Sequence, residues 1–160
     1  MTLPYRLAAQ SPELVQVLDL IRASFAYMDG IIAPPSSMHH LTVESLARTA
    51  EEAEVWAIGV PPVACVVFTP KRDALYIGKL AVAPLHRKSG LARDLIALAE
   101  TRAHALGYDT LELQVRVELT SNQATFIRLG FVESGRTAHP GYTRPTSITY
   151  RKTINRLKSI

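Results

Sequence analysis

Leu80-Ala81-Val82-Ala83-Pro84-Leu85-His86-Arg87-Lys88-Ser89-Gly90-Leu91-Ala92 is the stretch that decides how this chain is read. An apolar run closes at Val82, a loop with Pro84 carries His86, Arg87 and Lys88, and a helix opens at Gly90. That order builds a site for an anion. The first N–H groups of a helix have no backbone acceptor, and the helix dipole sets positive potential at the same end. Gly90 leaves room where a phosphate has to approach the backbone closely. Arg87 and Lys88 add full charges and Ser89 adds a hydroxyl donor. The chain has no G-x-x-x-x-G-K-[ST] and no G-x-G-x-x-G, so neither common nucleotide loop accounts for the stretch.

Working outward, Leu91, Leu95, Leu98 and Ala99 form one apolar stripe of a long helix that Gly107 ends, with His104 in the last turn. Residues 110–117 alternate, with Leu111, Leu113, Val115 and Val117 on one face and Glu112, Gln114 and Arg116 on the other. Strand, long helix and strand in succession predict a parallel crossover. Upstream, the pattern predicts a short strand at 3–7 and a helix over 12–27 capped by Ser11. An aperiodic segment at 28–41, a short helix from Thr42, and an antiparallel meander through 54–60, 63–68 and 74–82 follow. Downstream come a short helix over 122–129, closed by Gly130, and a strand pair at 131–136 and 147–152. The 160 residues, 48% hydrophobic and 20% charged, fit one globular α/β domain over 1–160. The longest apolar run, at 63–68, is far short of the ~20 residues of a membrane-spanning helix. Residues 1–6 lack a basic-then-apolar leader, so the expected location is cytoplasmic. A single cysteine, Cys65, excludes an intrachain disulfide and a cysteine-based zinc cage.

Arg87-x-x-Gly90-x-Ala92 resembles the [QR]-x-x-G-x-[GA] signature of the GNAT (Gcn5-related N-acetyltransferase) superfamily. Leu80-Ala81-Val82 with Pro84 resembles the strand that precedes that loop. The segment Asn122-Gln123-Ala124-Thr125-Phe126-Ile127-Arg128-Leu129-Gly130-Phe131 resembles the family's later motif of Asn, then Tyr four residues on, then Gly-Phe. The resemblance implies a mixed, mostly antiparallel sheet of about six to seven strands flanked by helices, whose central parallel pair splays into a V-shaped cleft. It implies acetyl-coenzyme A as acyl donor and no metal. Arg87, Lys88, Ser89, Gly90, Leu91, Ala92 and Arg93 would hold the pyrophosphate. Leu80, Ala81, Val82, Asn122 and Phe126 would line the pantetheine path, and a backbone N–H near Val82 would meet the oxyanion. The implied activity is direct N-acetylation of a primary amine on a small molecule or a protein. The alternative is a GNAT-like module that binds acyl-coenzyme A and has lost its chemistry.

The chain departs from the family pattern at two places. Phe126 stands where relatives carry the Tyr that protonates the coenzyme A sulfur, and residues 74–82 hold no Asp or Glu to serve as base. Tyr142 is the first substitute acid, with a half-exposed loop aromatic as its plain reading. Glu112 and Glu118 are the candidate bases, with solvated strand carboxylates as theirs. Cys65 sits mid-strand among apolar residues and reads as a core thiol.

The acceptor is expected at the 28–41 segment, where Asp29 could hold an ammonium group, while Lys79 could face an acidic acceptor. His39 and His40 are adjacent and diverge on an extended chain, without any accompanying metal motif. His139 reads as a turn residue that could face the acceptor. Net charge is +4, yet residues 1–60 carry −4 and the remainder +8. That asymmetry points the C-terminal part at an anion and agrees mildly with a cationic acceptor on the N-terminal side. Arg144, Arg151, Lys152, Arg156 and Lys158 raise a nucleic-acid reading, which 7% aromatic residues and scattered charges support poorly. The resemblance allows a homodimer, and no membrane partner is expected.

Overall fold

The alternation of small and β-branched residues in Ala64-Cys65-Val66-Val67-Phe68 suits a strand buried on both faces, and a sheet is built around it. The computed structural model describes residues 3–154. Seven strands run β1 (Tyr5–Leu7), β2 (Glu54–Ile58), β3 (Ala64–Pro70), β4 (Leu75–Val82), β5 (Thr110–Arg116), β6 (Val132–Thr137) and β7 (Ser147–Thr153). They lie in the order β1-β2-β3-β4-β5-β7-β6, with every neighbouring pair antiparallel except β4 and β5. The crossover between those two is α3 (Leu91–Leu106). The expected mixed sheet with a central parallel pair is therefore the observed one.

Helices cover both faces because β3 is apolar on both. Cys65 and Val67 pack with Leu14, Val17 and Ile21 of α1 (Leu14–Phe25) and with Leu46 of α2 (Val43–Glu52). Ala64, Val66 and Phe68 pack with Leu95, Ile96 and Ala99 of α3. The last helix, α4 (Thr120–Arg128), joins the α3 side through Phe126 and Phe131, which meet edge to face at 5.9 Å. The short helix expected from Thr42 is α2, and Thr42 caps it, its Oγ1 accepting the Ser45 N–H at 3.1 Å. Ser11 does not cap α1. The helix opens at Leu14, and Ser11 Oγ accepts the Ala8 N–H at 2.8 Å, closing the preceding turn instead. The 28–41 segment holds one 3-10 turn, Ser37–His40, after another at Ala26–Met28.

An extra residue in β4 changes which side chains face which helix. The β3–β4 register breaks between Cys65 and Val67, opposite Lys79 and Leu80, and Lys79 takes φ +52°. Before this bulge Leu75 and Ile77 face α3, whereas after it Ala81 faces α1 while Leu80 and Val82 turn toward α3. Strict alternation would put Ala81 beside Ile77; one inserted residue reverses the phase.

Glu54, buried at the start of β2, ties the sheet to α3. Arg102 grips it bidentately at 2.8 and 2.7 Å, and Trp56 Nε1 donates to it at 2.9 Å. Burial alone would raise its pKa, but the hydrogen bonds from Arg102 and Trp56 and the charges of Arg102 and Arg6 outweigh that and hold it lowered. A lowered folded-state pKa contributes stability that is full above the unfolded value of about 4.3 and is lost as pH falls through the folded one. Glu54→Gln is expected to cost about 2–4 kcal/mol by stranding Arg102 and to flatten the acid limb of stability. Urea unfolding at neutral pH and near pH 4 checks both.

Candidate functional site

β4 and β5 pair only at Leu75 with Leu111 and Tyr76 with Glu112. From Ile77 and Leu113 onward the strands part, and a cleft of about 660 Å³ opens between them. Its floor is apolar, from Ile77, Leu80, Leu113, Val115 and Phe126, and one wall is the loop and start of α3.

That loop is shaped for close approach. Pro84–His86 make a 3-10 turn, Lys88 takes φ +64°, and Gly90 takes φ +86° as the helix cap. The first helical bond is Asp94 N–H to the Gly90 carbonyl at 3.0 Å, which leaves the N–H groups of Leu91, Ala92 and Arg93 without helical acceptors. A Cβ on Gly90 would stand 3.0 Å from an Arg93 guanidinium nitrogen. Ser89 spends its hydroxyl on the His86 carbonyl and lies outside the cleft lining. Arg87 donates to the Ser24 carbonyl at 3.2 Å and covers the Tyr27 ring, fastening the loop to α1. Buried Ser24 in turn donates to the Val82 carbonyl at 3.1 Å, so that acceptor on the edge of β4 is already occupied.

The structure brings Leu80, Ala81, Val82, Arg87, Lys88, Gly90, Leu91, Ala92, Arg93, Asn122, Phe126 and Lys79 to this one cleft. It adds two residues to which the sequence reading gave no role. Tyr27 receives a hydrogen bond from Asn122 Nδ2 at 3.2 Å, one helical turn before Phe126 on α4. Arg128 lines the cleft from the end of the same helix. Tyr27 lies in no motif, and Arg128 stands in the 122–131 segment at a position whose residue type the motif does not specify, so no local signal marks either.

A second cleft of about 390 Å³ lies beyond the parting of the strands, lined by residues such as Ser37, His40, His139 and Ser147. It shares Ser36, Tyr76, Gln114 and Arg116 with the first, so the two meet where β4 and β5 separate. Burial, then the charge of Glu112, raise the Tyr76 pKa. Burial lowers that of Lys79, whose ammonium donates to Ser37 Oγ at 3.4 Å.

His139 is fixed by a chain of hydrogen bonds. Thr146 is fully buried; its Oγ1 accepts the His139 N–H at 2.9 Å and donates to the Thr137 carbonyl at 3.4 Å. The same Oγ1 touches His139 Nδ1. With Nδ1 engaged by Thr146, Nε2 is the ring nitrogen left for a ligand in the cleft. Burial and the nearby Arg116 charge both lower the His139 pKa, which favours the neutral ring.

Besides Ser89, four expected site residues stand outside both clefts. Glu112 is held by Arg151 at 3.1 Å and by Lys71. Glu118 Oε2 accepts the Ala33 N–H at 3.3 Å, and its other oxygen is buried without a partner among the described residues. Asp29 pairs with His39 at 2.8 Å, which leaves only His40 of that histidine pair on the second cleft. Tyr142 lines neither cleft. Among the described residues no Asp or Glu lines either cleft. No group of three His, Cys, Asp or Glu able to hold a metal stands anywhere among them, and none of their helices is long and apolar enough to cross a membrane. Of the basic residues in the nucleic-acid reading, Arg151 and Lys152 are spent on Asp73, Glu112 and Glu100. Arg156 and Lys158 lie outside the described residues.

A model of the acetyltransferase (GNAT) family matches residues 16–131, spanning the 28–41 segment, the crossover and both cleft edges. The chain belongs to the acetyltransferase (GNAT) family. No curated protein matches the sequence significantly. Solved structures share the acetyltransferase fold at low identity. The Escherichia coli ribosomal-protein-S18-alanine N-acetyltransferase superposes with a TM-score of 0.74 at 20% identity, covering 99% of this chain and 97% of its own. PaiA N-acetyltransferase from Thermoplasma acidophilum, in complex with coenzyme A, gives 0.79 at 12%, over 96% and 99%. A GNAT family acetyltransferase from Elizabethkingia anophelis with acetyl-CoA bound gives 0.68 at 15%, over 96% and 98%.

Cys65 plays no part on the surface of this acetyltransferase. It is 1% exposed, donates to the Lys79 carbonyl, and burial pushes its thiol up to about 12. The native protein is expected to leave a disulfide reagent such as DTNB unreacted, with one thiol appearing on denaturation. Prompt reaction of the folded protein would put the thiol within reach of substrate.

Proposed function

We propose that this acetyltransferase takes acetyl-coenzyme A in the larger cleft and passes the acetyl group directly to a primary amine entering from the second. The observation that carries the reading is the junction of the two clefts at Tyr76, Gln114, Arg116 and Ser36. Donor and acceptor meet there without a covalent relay. The coenzyme-bound Thermoplasma and Elizabethkingia structures support the choice of donor.

The residues present fit such a ligand. The free N–H groups of Leu91, Ala92 and Arg93, with Arg87 and Lys88, suit a pyrophosphate at the start of α3. The open edges of β4 and β5 suit the amide groups of a pantetheine arm, and Phe126 gives it an apolar neighbour. The bound thioester supplies an activated acetyl carbonyl. In the transfer, the amine nitrogen bonds to the carbonyl carbon, the carbon–sulfur bond breaks, and the amine gives up a proton. His139 Nε2 is the proposed acceptor of that proton, since Thr146 engages the other ring nitrogen and no carboxylate lines the site. A backbone N–H near Val82 meets the developing oxyanion; that of Ala83 is already spent on Val63 at 2.8 Å. For the hydroxyl missing at Phe126, Tyr27 is the candidate substitute: it lines the same cleft and is held by Asn122, one turn before Phe126.

The loss of that hydroxyl at Phe126 favours a second reading, a coenzyme A-binding module without turnover. Steady thiol release with any amine excludes it.

Melting with acetyl-coenzyme A, beside ATP and NAD as polyanion controls, tests the donor. At 100 times the dissociation constant the donor should add about 2.7 kcal/mol, and the controls much less. Gly90→Glu should remove the shift while the protein still folds, since it puts a carboxylate and a strained φ where the phosphates belong. An unchanged shift in the variant would move the site elsewhere. For the base, the neutral His139 ring is lost as pH falls through its lowered pKa. The acid limb of kcat/KM is therefore expected below pH ~6.5, the ordinary histidine value. His139→Gln should abolish that limb and slow transfer by about 10²–10⁴. A limb unchanged in the variant would assign the base to another group.

A further inference from the structure

The two clefts are cationic on every wall that carries charge. We infer that the acceptor amine also bears an anionic group, a carboxylate, seated in the second cleft against Arg116, with His40 and the hydroxyls of Ser37 and Ser147 around it. This rests on the transfer reading above and names the class of its acceptor.

Arg116 is built to present a fork. Its guanidinium donates to the Pro34 carbonyl at 2.8 Å and to the Pro35 carbonyl at 3.3 Å, which fixes its plane. Five N–H donors are available on that group, so three remain after these two bonds. Gln123 steadies the strand end beneath it by donating to the Arg116 and Val117 carbonyls, both at 3.0 Å. A planar carboxylate matches such a fork through charge-assisted hydrogen bonds. Lys79, at the bulge on the other strand, adds a second cation that reaches Ser37 on the same loop.

The converse observation is as informative. Asp29, the side chain expected to receive an ammonium, is turned away into its pair with His39. Glu118 is near enough for its charge to act on Arg116, but it is committed to the Ala33 N–H and lines neither cleft. A diamine or polyamine would bring a second ammonium against Arg116 and Lys79 with no carboxylate lining either cleft to receive it, and like charges so placed disfavour binding. The volume of about 390 Å³ is at the small end of ligand pockets, which run roughly 300–1,000 Å³, and suits a small amino acid. The same fork would also hold a phosphate ester, so the test separates the two anions.

The test is a matched panel: the twenty amino acids against the amines left by their decarboxylation, phosphoethanolamine against ethanolamine, and spermidine. Thiol release from acetyl-coenzyme A gives kcat/KM, and calorimetry gives the affinity of the N-acetylated forms with and without coenzyme A. At least one anionic member should exceed its uncharged-tail partner by tenfold or more, in kcat/KM and in product affinity. A preference confined to phosphoethanolamine would keep the anion and assign it to phosphate. Arg116→Gln should bring the ratio close to one. Because that change also frees two loop carbonyls, His40→Gln serves as the second variant, expected to lower the ratio severalfold. Equal or better use of the decarboxylated amines or spermidine overturns the inference and leaves the transferase reading standing. A melting shift with acetyl-coenzyme A but no turnover and no product binding also overturns it. Absence of the melting shift overturns the transferase reading itself.

Discussion

Two pairs of residues, Leu75 with Leu111 and Tyr76 with Glu112, join the two halves of this sheet. On one side β1 to β4 form a continuous antiparallel meander; on the other β5, β7 and β6 form another. Had the parallel pairing continued along β4, the backbone groups of the two strands would satisfy one another and no cleft would exist. The core makes the interruption tolerable. Leu75, Leu111 and Phe131 are buried to 2% exposure or less, and Leu95 and Ala99 of α3 bridge both halves from one face. The bulge at Lys79 then turns the end of β4, setting Leu80 and Val82 toward the cleft side while Ala81 anchors to α1.

Charge is distributed around that opening according to use. Carboxylates hold the frame: Glu54 on Arg102, Glu112 on Arg151 and Lys71, Glu118 on the 33–35 loop. The cleft walls keep their cations, Arg87, Lys88, Arg93, Arg116 and Arg128, without carboxylates among the lining residues. The excess positive charge of residues 61–160 is thus partly spent on the ion pairs of Arg151 and Lys152 and partly concentrated on the cleft walls.

The sequence made the crossover legible because its signals are local. Gly90 and Gly107 both adopt the left-handed conformation that their places as helix caps suggested, and the alternation of β5 appears as alternating burial. The turn that leads into α3, with the free N–H groups at its start, was legible for the same reason. The settings of His139 and Tyr27 were not. His139 is held by Thr146, a residue marked by no motif, and Tyr27 reaches Asn122 across 95 positions of chain. Glu112 and Glu118 looked available because a sequence shows a carboxylate's strand face but not the arginine or backbone N–H that occupies it. Ser89 looked like a ligand donor until its hydroxyl was found inside its own loop.

An acyl donor laid along the unpaired edges of β4 and β5 and over the first turn of α3 would shield their amides. Residue-resolved amide hydrogen exchange with and without acetyl-coenzyme A reads that shielding. New protection is expected at Leu80 and Val82, at Leu113–Arg116, and at the N–H groups of Leu91, Ala92 and Arg93, with the β2–β3 ladder unchanged. Protection spread evenly over the sheet, or confined to residues outside the parting of β4 and β5, would contradict that placement of the donor.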